Sequence, residues 1–382
     1  MKVLFVAYYF DPFPGVGARR ISYWARHLHA QYSQIRCDVI TATDPAGMTF
    51  PAIDHVHHVP DSGKTTWAFQ KRLQGYSWRR DLARFIRSRP AAYDACVLTG
   101  GPFMPFGVAP LIRRRYGCRI LLDFRDPFAN NPVHPMAGWK RSLLRRLEKR
   151  YIRNADAVIV VNRHCRELLC ERRTPVYVIE NGYDETVLDP LRARLPRGEA
   201  LRLVYAGKLL AHRDAGPFLE VIQRPAFRGR VSFTHIGDPH PAVLAGQENT
   251  GTIHSAGPME YGGALRCMQA CDVGVIFTRG EPFESTSKIF DYLGLEKPVL
   301  IITGGEPQTG ELHDITREYP AVTWCRNRPD EIAQALEALR TARQPAPYPG
   351  REQHARRNGL AQLVDALTEC TEKEPGTRAG SR

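Results

Sequence analysis

Short apolar and β-branched runs recur along the whole chain, and stretches with helical spacing separate them. In the first half the runs are 2–9 (KVLFVAYY), 37–42, 55–60, 95–100, 119–124, 155–161 and 175–184. In the second half they are 201–207, 231–237, 252–257, 272–277, 299–303 and 322–325. Helical patterns fall at 67–89 and 138–153, then near 214–224, 260–270, 329–343 and 351–370. Strand runs that are apolar on both faces need cover on both faces, so the alternation argues for parallel sheets flanked by helices. PLRARLPRG at 190–198 reads as a linker. The expected architecture is α/β, with doubly wound parallel-sheet domains at 1–190 and 191–350. A helix at 351–371 could return to the first domain, and 372–382 reads as a disordered tail.

Charge divides the chain as sharply as the rhythm does. Residues 1–150 hold 24 Lys and Arg against 10 Asp and Glu, and the remainder holds 29 against 30. The basic excess therefore belongs to the first domain and points to an anionic partner for it. No run approaches the roughly 20 apolar residues needed to span a bilayer. The nine cysteines are scattered, without a C-x-x-C pair, which suggests reduced thiols and the cytoplasm. In GWKRSLLRRLEKRYIR (138–153), Trp139, Leu143, Leu144, Leu147 and Tyr151 share one arc of a helix, and Arg141, Arg145, Arg146, Lys149 and Arg153 lie mainly opposite. That pattern fits a core-packed helix with a basic solvent face, or a face for an anionic membrane surface. The basic stretches lack interleaved stacking aromatics, which argues against nucleic acid. His55, His57 and His58 alternate on a short strand without Cys or carboxylate partners, and read as surface rather than metal ligands.

The candidate site residues sit where strands give way to loops. The most informative stretch is Gly280–Pro298 (GEPFESTSKIFDYLGLEKP). Ser285, Thr286 and Ser287 have the composition of a helix N-cap, and such a terminus suits phosphate. Lys288 adds a charge in the first turn, where it is unfavourable to the helix itself. Asp291 lies one turn on, on the same face, as an acceptor for a sugar hydroxyl. Earlier, Gly15 and Gly17 follow the first strand in a phosphate-loop layout, and Arg19 and Arg20 open the next helix, where they could face an anion or lie on the solvated surface. Arg125 and Asp126 end the strand at 119–124, and with Asp123 they form either part of a ligand crevice or an internal ion pair. Lys208 and Arg213 follow the strand at 201–207, two cations that suit a diphosphate.

In order and spacing these segments resemble the GT-B glycosyltransferases, and within them the retaining group called family 4. The resemblance rests on FDPFPGVGARRISYWARHL, LLDFRDPF, ADAVIVVN with VIENGYD and its Asn181-Gly182 turn, VYAGKL, and STSKIFDYLGLEKPVL. It implies two Rossmann-like domains facing a central cleft, with a nucleotide-diphosphate sugar bound by the second domain and a glycan or lipid-linked acceptor by the first. Gly15 and Gly17 would offer backbone N–H groups, and Lys208, with Arg213, would neutralise the leaving diphosphate. Residues Ser285–Ser287 would cap that group, helped by Lys288, and Asp291 would meet the ribose. No metal or other cofactor is implied, because cations and a helix dipole supply the electrostatics. Retention would proceed by front-side attack, with the diphosphate as base.

The chain departs from the family pattern in places. The first glutamate of the E-x7-E pair would fall at Phe283, leaving Glu284 or Glu281 to approach the sugar, and position 214 is Asp214 where a second cation is usual. Arg213 or His212 must then replace it. No histidine follows the DFRD strand, so Arg125 or Asp126 would orient the acceptor. Beside a polysaccharide- or glycolipid-building transferase, cytoplasmic or peripheral on the inner membrane face, two readings stand open. They are a sugar-nucleotide epimerase of the same architecture and a catalytically silent binding subunit.

Overall fold

The computed structural model describes residues 1–63, 75–133, 136–192, 196, 198–210, 213–342 and 346–372. Within the described residues the chain divides into two units, Met1–Glu180 with Arg357–Arg382, and Asn181–Arg356. The division falls after Glu180 rather than at 190/191, because Tyr183 and Leu188 are fully buried in the core of the second unit. Parts of the expected linker (193–195 and 197), the start of the expected 67–89 helix (67–74), His212 and the tail (373–382) lie outside the described residues.

The first unit is built on seven parallel strands, β1 (Lys2–Ala7), β2 (Arg36–Thr41), β3 (His55–His58), β4 (Ala95–Thr99), β5 (Arg119–Phe124), β6 (Ala157–Val160) and β7 (Val176–Val178), ordered 3-2-1-4-5-6-7. The second has six, β8 (Leu201–Ala206), β9 (Val231–Ile236), β10 (Ile253–Gly257), β11 (Val273–Thr278), β12 (Val299–Thr303) and β13 (Val322–Arg326), ordered 10-9-8-11-12-13. Both orders reverse direction beside the first strand, the doubly wound Rossmann-like arrangement. Ligands of such sheets bind beyond the carboxyl ends of the strands at that reversal. In the first unit this is the β1/β4 edge, and in the second the β8/β11 edge.

Packing follows from the strand runs. β4, β11 and β12 are buried along their whole length, as strands covered on both faces must be. The last helix, Arg356–Glu372, sends Leu360, Leu363, Ala366, Leu367 and Cys370 into the core of the first unit. All nine cysteines are free thiols. Among the described residues no helix is long and apolar enough to cross a membrane.

The helix Gly138–Arg153 has the expected bounds but presents a different face. Leu144, Glu148, Tyr151 and Ile152 are buried, whereas Trp139 and Leu143 are 68% and 59% exposed. The buried arc is turned by about a quarter revolution from the expected one. The cause is Glu148, whose carboxylate accepts the backbone N–H groups of Ala129 and Cys170, both at 2.8 Å. A buried carboxylate needs such donors, and its burial raises its pKa. Arg20 also departs from expectation, since it is buried rather than anion-facing. Its guanidinium donates to the carbonyls of Ile179 (2.8 Å) and Glu180 (3.0 Å), and its Nε lies 3.5 Å from the fully buried Asp123.

Where the second unit begins and ends, its two chain segments run side by side. Tyr183 N donates to His354 O, Arg356 N donates to Tyr183 O, both at 3.0 Å, and Gly182 lies beneath the pair. A Cβ on Gly182 would sit 2.6 Å from His354 O and 2.9 Å from Arg356 N, both backbone atoms that cannot step aside. Gly182→Ala should therefore destabilise the protein by about 1–3 kcal/mol, read as a lower midpoint in denaturant. A midpoint equal to wild type would show that this crossing is loose.

His354 gives a second, pH-dependent expectation. Burial pushes its pKa from 6.5 down to about 4. The unfolded chain then takes up a proton that the folded chain refuses. The stability contributed by the neutral imidazole is present above pH 6.5 and lost as the pH falls toward 4, at about 1.4 kcal/mol per pH unit. Stability curves of wild type and His354→Gln should converge across that window. Parallel curves would show that His354 does not set the acid limb.

Candidate functional site

At the β8/β11 edge the second unit gathers the cations that the sequence singles out. β8 ends at Ala206, and Gly207 follows with φ +132°. A Cβ there would lie 2.5 Å from Cε and 2.8 Å from Nζ of Lys288, so only glycine leaves room for that side chain. Lys288 is the second residue of the helix Ser287–Gly294. Its ammonium stands 5.1 Å from the centre of the Tyr205 ring and donates to Thr286 Oγ1 at 3.4 Å. Tyr205, buried at the end of β8, donates its hydroxyl to the carbonyl of Lys208 at 3.1 Å. The Lys208 side chain is exposed, with Nζ 3.6 Å from Asp238. Behind them His235 donates from Nε2 to Gly207 O at 2.9 Å, and its burial lowers its pKa, keeping the ring neutral.

The loop after β11 is held by Glu284. This buried carboxylate accepts from Thr278 Oγ1 at 2.5 Å and from Arg279 N at 2.9 Å, and its other oxygen lies 3.5 Å from Arg213 Nη2. Glu284 thus fixes both the loop and Arg213, and both of its oxygens face its own unit. Thr286 is the N-cap of the following helix, but no side-chain capping bond forms there. The three hydroxyls Ser285, Thr286 and Ser287 are half-buried around a terminus that their side chains do not cap. The expectation of a capped helix is corrected in that respect, because the Thr286 hydroxyl accepts from Lys288 instead. Asp291 is buried, and its Oδ1 accepts from Tyr261 OH at 2.6 Å.

The first unit builds its own edge around Arg125. The guanidinium donates from Nε and Nη2 to Gly100 O at 2.9 and 2.5 Å, and from Nη2 to Gly101 O at 3.0 Å. A Cβ on Gly17 would lie 2.4 Å from its Nη1. Arg125 thereby joins the loops that follow β1, β4 and β5, which is a positioning arrangement. Gly15 is the N-cap of the helix Val16–Gln31, and Gly17 already lies inside it, so the pair opens a helix rather than forming a free loop. Asp126 is exposed at the end of β5. Below it Asp123 accepts from Thr99 Oγ1 at 3.0 Å and pairs with Arg20, so the internal ion pair expected among Asp123, Arg125 and Asp126 forms with Arg20 instead, Arg125 being held by backbone carbonyls.

The structure therefore brings Lys208, Arg213, Glu284, Ser285–Ser287, Lys288 and Asp291 to one sheet edge of the second unit. It brings Gly15, Gly17, Arg125 and Asp126 to the corresponding edge of the first. Tyr205, Gly207, His235, Tyr261 and Thr278 were not foreseen. A position at the end of a strand was the available signal for Tyr205, Gly207 and Thr278, whereas His235 and Tyr261 pack against the site from neighbouring elements.

Comparison with known proteins agrees with this fold. Residues 17–187 match the family model described as Glycosyltransferase Family 4. No curated protein sequence matches the chain. HepE from Anabaena, solved with UDP, superposes at a TM-score of 0.66 with 14% identity, covering 97% of this chain and 100% of its own. Sucrose-phosphate synthase from Thermosynechococcus elongatus gives 0.68 and 14%, covering 97% and 96%. A Listeria monocytogenes protein named as a UDP-N-acetylglucosamine 2-epimerase gives a lower 0.55 at 12% identity, covering 97% of each chain. The chain has the GT-B fold of two Rossmann-like units, and in residues 17–187 it is similar to the glycosyltransferases of family 4.

Proposed function

We propose that this protein is a retaining glycosyltransferase that moves a sugar from a nucleoside-diphosphate donor to a glycan or lipid-linked acceptor, in polysaccharide or glycolipid synthesis. The observation that carries the reading is the group of cations at the β8/β11 edge, placed around a helix N-terminus that the N-cap side chain of Thr286 leaves uncapped. In this reading the second unit holds the donor. Lys208 and Lys288 face the diphosphate, and the N–H groups of Ser287 and Lys288 add the positive end of the helix dipole. Negative charge grows on the β-phosphate as the glycosidic bond breaks, and fixed cations stabilise that charge more than the ground state. Arg213 is aimed by Glu284, so we assign Glu284 to holding the cation rather than to contact with the sugar. The Tyr261–Asp291 pair is positioned to meet a ribose hydroxyl. Metal independence is part of the proposal, since lysines and backbone N–H groups take the electrostatic role. The leaving diphosphate then serves as base, and no separate catalytic carboxylate is required. The first unit would hold the acceptor, with Asp126 exposed and Arg125 keeping its loops in place.

A uridine donor is the first candidate because HepE has been crystallised with UDP and with UDP-glucose, and an adenine donor the second because Arabidopsis thaliana starch synthase IV has been solved with ADP. Thermal unfolding of wild type, Lys208→Ala and Lys288→Ala with UDP, GDP, ADP or CMP tests the assignment. A ligand at about 100 times its Kd adds about 2.7 kcal/mol to stability. UDP should raise the melting temperature of wild type, and each variant should lose most of that rise while keeping its own unliganded midpoint. Equal stabilisation of both variants would overturn the diphosphate assignment, and no stabilisation by any nucleotide would favour the silent-subunit reading.

A further inference from the structure

The first unit carries a second anion-attracting feature, away from the loops that end its strands. The helix Tyr76–Ser88 buries Trp78, Asp81, Leu82 and Ile86 on one face. Its opposite face carries Tyr76, Arg79, Arg80, Arg84 and Arg87, all within one arc of about 140° at about 100° per residue. Arg79, Arg80, Arg84 and Arg87 meet Arg114 and Arg150 around a groove of about 520 Å³. Among the described residues no acidic side chain lines it. Arg84 is paired with Asp81 at 3.1 Å, on the side of the helix. Arg79 lies over the Tyr76 ring at 5.3 Å, and Tyr76 is 52% exposed. Arginines gathered around one groove repel, and that repulsion is screened only beyond about 8 Å at physiological salt. An anion in the groove would relieve that repulsion, and the fork of donors on arginine matches phosphate oxygens.

A second observation identifies the kind of anion. Arg150 lies on the helix Gly138–Arg153, and Trp139, Leu143 and Arg146 fall within about 40° of it on the same face. Trp139 and Leu143 are the two most exposed large apolar side chains described. Along the helix axis Trp139 stands about 16 Å from Arg150 and Leu143 about 10 Å. An exposed Trp–Leu pair on one line with arginines matches the interfacial zone of a bilayer, where aromatic rings sit at headgroup depth and cations meet lipid phosphates. Nucleic acid has no use for the leucine.

We propose that the six-arginine groove is a binding site for the phosphate of an anionic lipid headgroup, with Trp139, Leu143 and Tyr76 entering the membrane interface beside it. The groove lies wholly in the first unit, so it extends the acceptor-side reading of that unit and is tested separately from donor binding.

The test is co-sedimentation of the full chain with phosphatidylcholine vesicles, pure or about one third phosphatidylglycerol. Wild type should bind the anionic vesicles at least about tenfold more tightly than the neutral ones. Arg80→Glu/Arg87→Glu/Arg114→Glu should weaken that binding on the order of a hundredfold, and Trp139→Ala/Leu143→Ala on the order of tenfold. These positions are exposed, so both variants should keep the wild-type melting temperature and its rise with UDP. Unchanged vesicle binding by the arginine variant, or equal binding of wild type to neutral vesicles, overturns the proposal. So does tighter binding of an RNA oligonucleotide than of the anionic vesicles. Binding of inorganic pyrophosphate without vesicle binding would likewise overturn it, as a soluble phosphate site. Loss of the UDP response with vesicle binding intact would count against the donor reading and leave this one standing.

Discussion

Gly207 has no side chain because Lys288 occupies the space where one would be. That exclusion ties the end of β8 to the first turn of the helix that follows the β11 loop. Much of the candidate donor site depends on it. A side chain at position 207, just past β8, would displace Lys288 from its place over Tyr205. Without Lys288 in that place, the Thr286 hydroxyl would have no cation to accept from and could turn to cap its own helix. The site is thus arranged by removing a side chain at one strand end and withholding a cap at the other. Both changes cost local stability and leave donors pointing outward.

A lysine in the first turn of a helix opposes the dipole by a few tenths of a kcal/mol to about 1 kcal/mol. Cation–π contact with Tyr205 offsets a similar amount. Tyr205 is itself fixed, by burial and by its bond to the Lys208 carbonyl. One aromatic ring therefore positions the backbone of one lysine and the side chain of another. Glu284 does the comparable work for Arg213, using Thr278 and Arg279 to hold its second oxygen. A buried carboxylate placed this way is expensive to desolvate, and its partners must all be present. That requirement gives Glu284 a structural role in the candidate donor site without contact to a sugar.

The fold was legible in the sequence because burial of a parallel strand on both faces leaves a run that turns cannot imitate. β5 and β12 have the bounds that their residues suggest, RILLDF and VLIIT. The helix Pro241–Thr250 gave no such signal, since PAVLAGQENT has no clear apolar stripe. The face of Gly138–Arg153 was misread because Glu148 counts as polar in any periodicity, while in the fold two backbone N–H groups draw it inside. Arg20 was misread for the same reason, its charge being spent on Ile179, Glu180 and Asp123. Of the site, the cations and the loop hydroxyls were visible as charge and composition at strand ends. Tyr205, His235 and Tyr261 were not, because their part is to hold other residues, and such roles have no local pattern.

The uneven charge of the chain follows a different logic from that of the donor site. The cations assigned to a diphosphate all lie after residue 200, in a part of the chain where acidic and basic residues balance, 30 against 29 beyond residue 150. A nucleoside diphosphate therefore cannot be the reason for the excess of 24 over 10 in the first 150 residues. Nor does local pairing absorb that excess, since Arg80, Arg87, Arg114 and Arg150 are exposed around a groove without an acidic lining. Keeping like charges together works against folding, so their retention argues for a partner that supplies the opposite charge from outside. A lipid surface does so with many phosphates at once. It also gives Trp139 and Leu143 an apolar environment that water does not, and a soluble anion would leave those two side chains without a purpose.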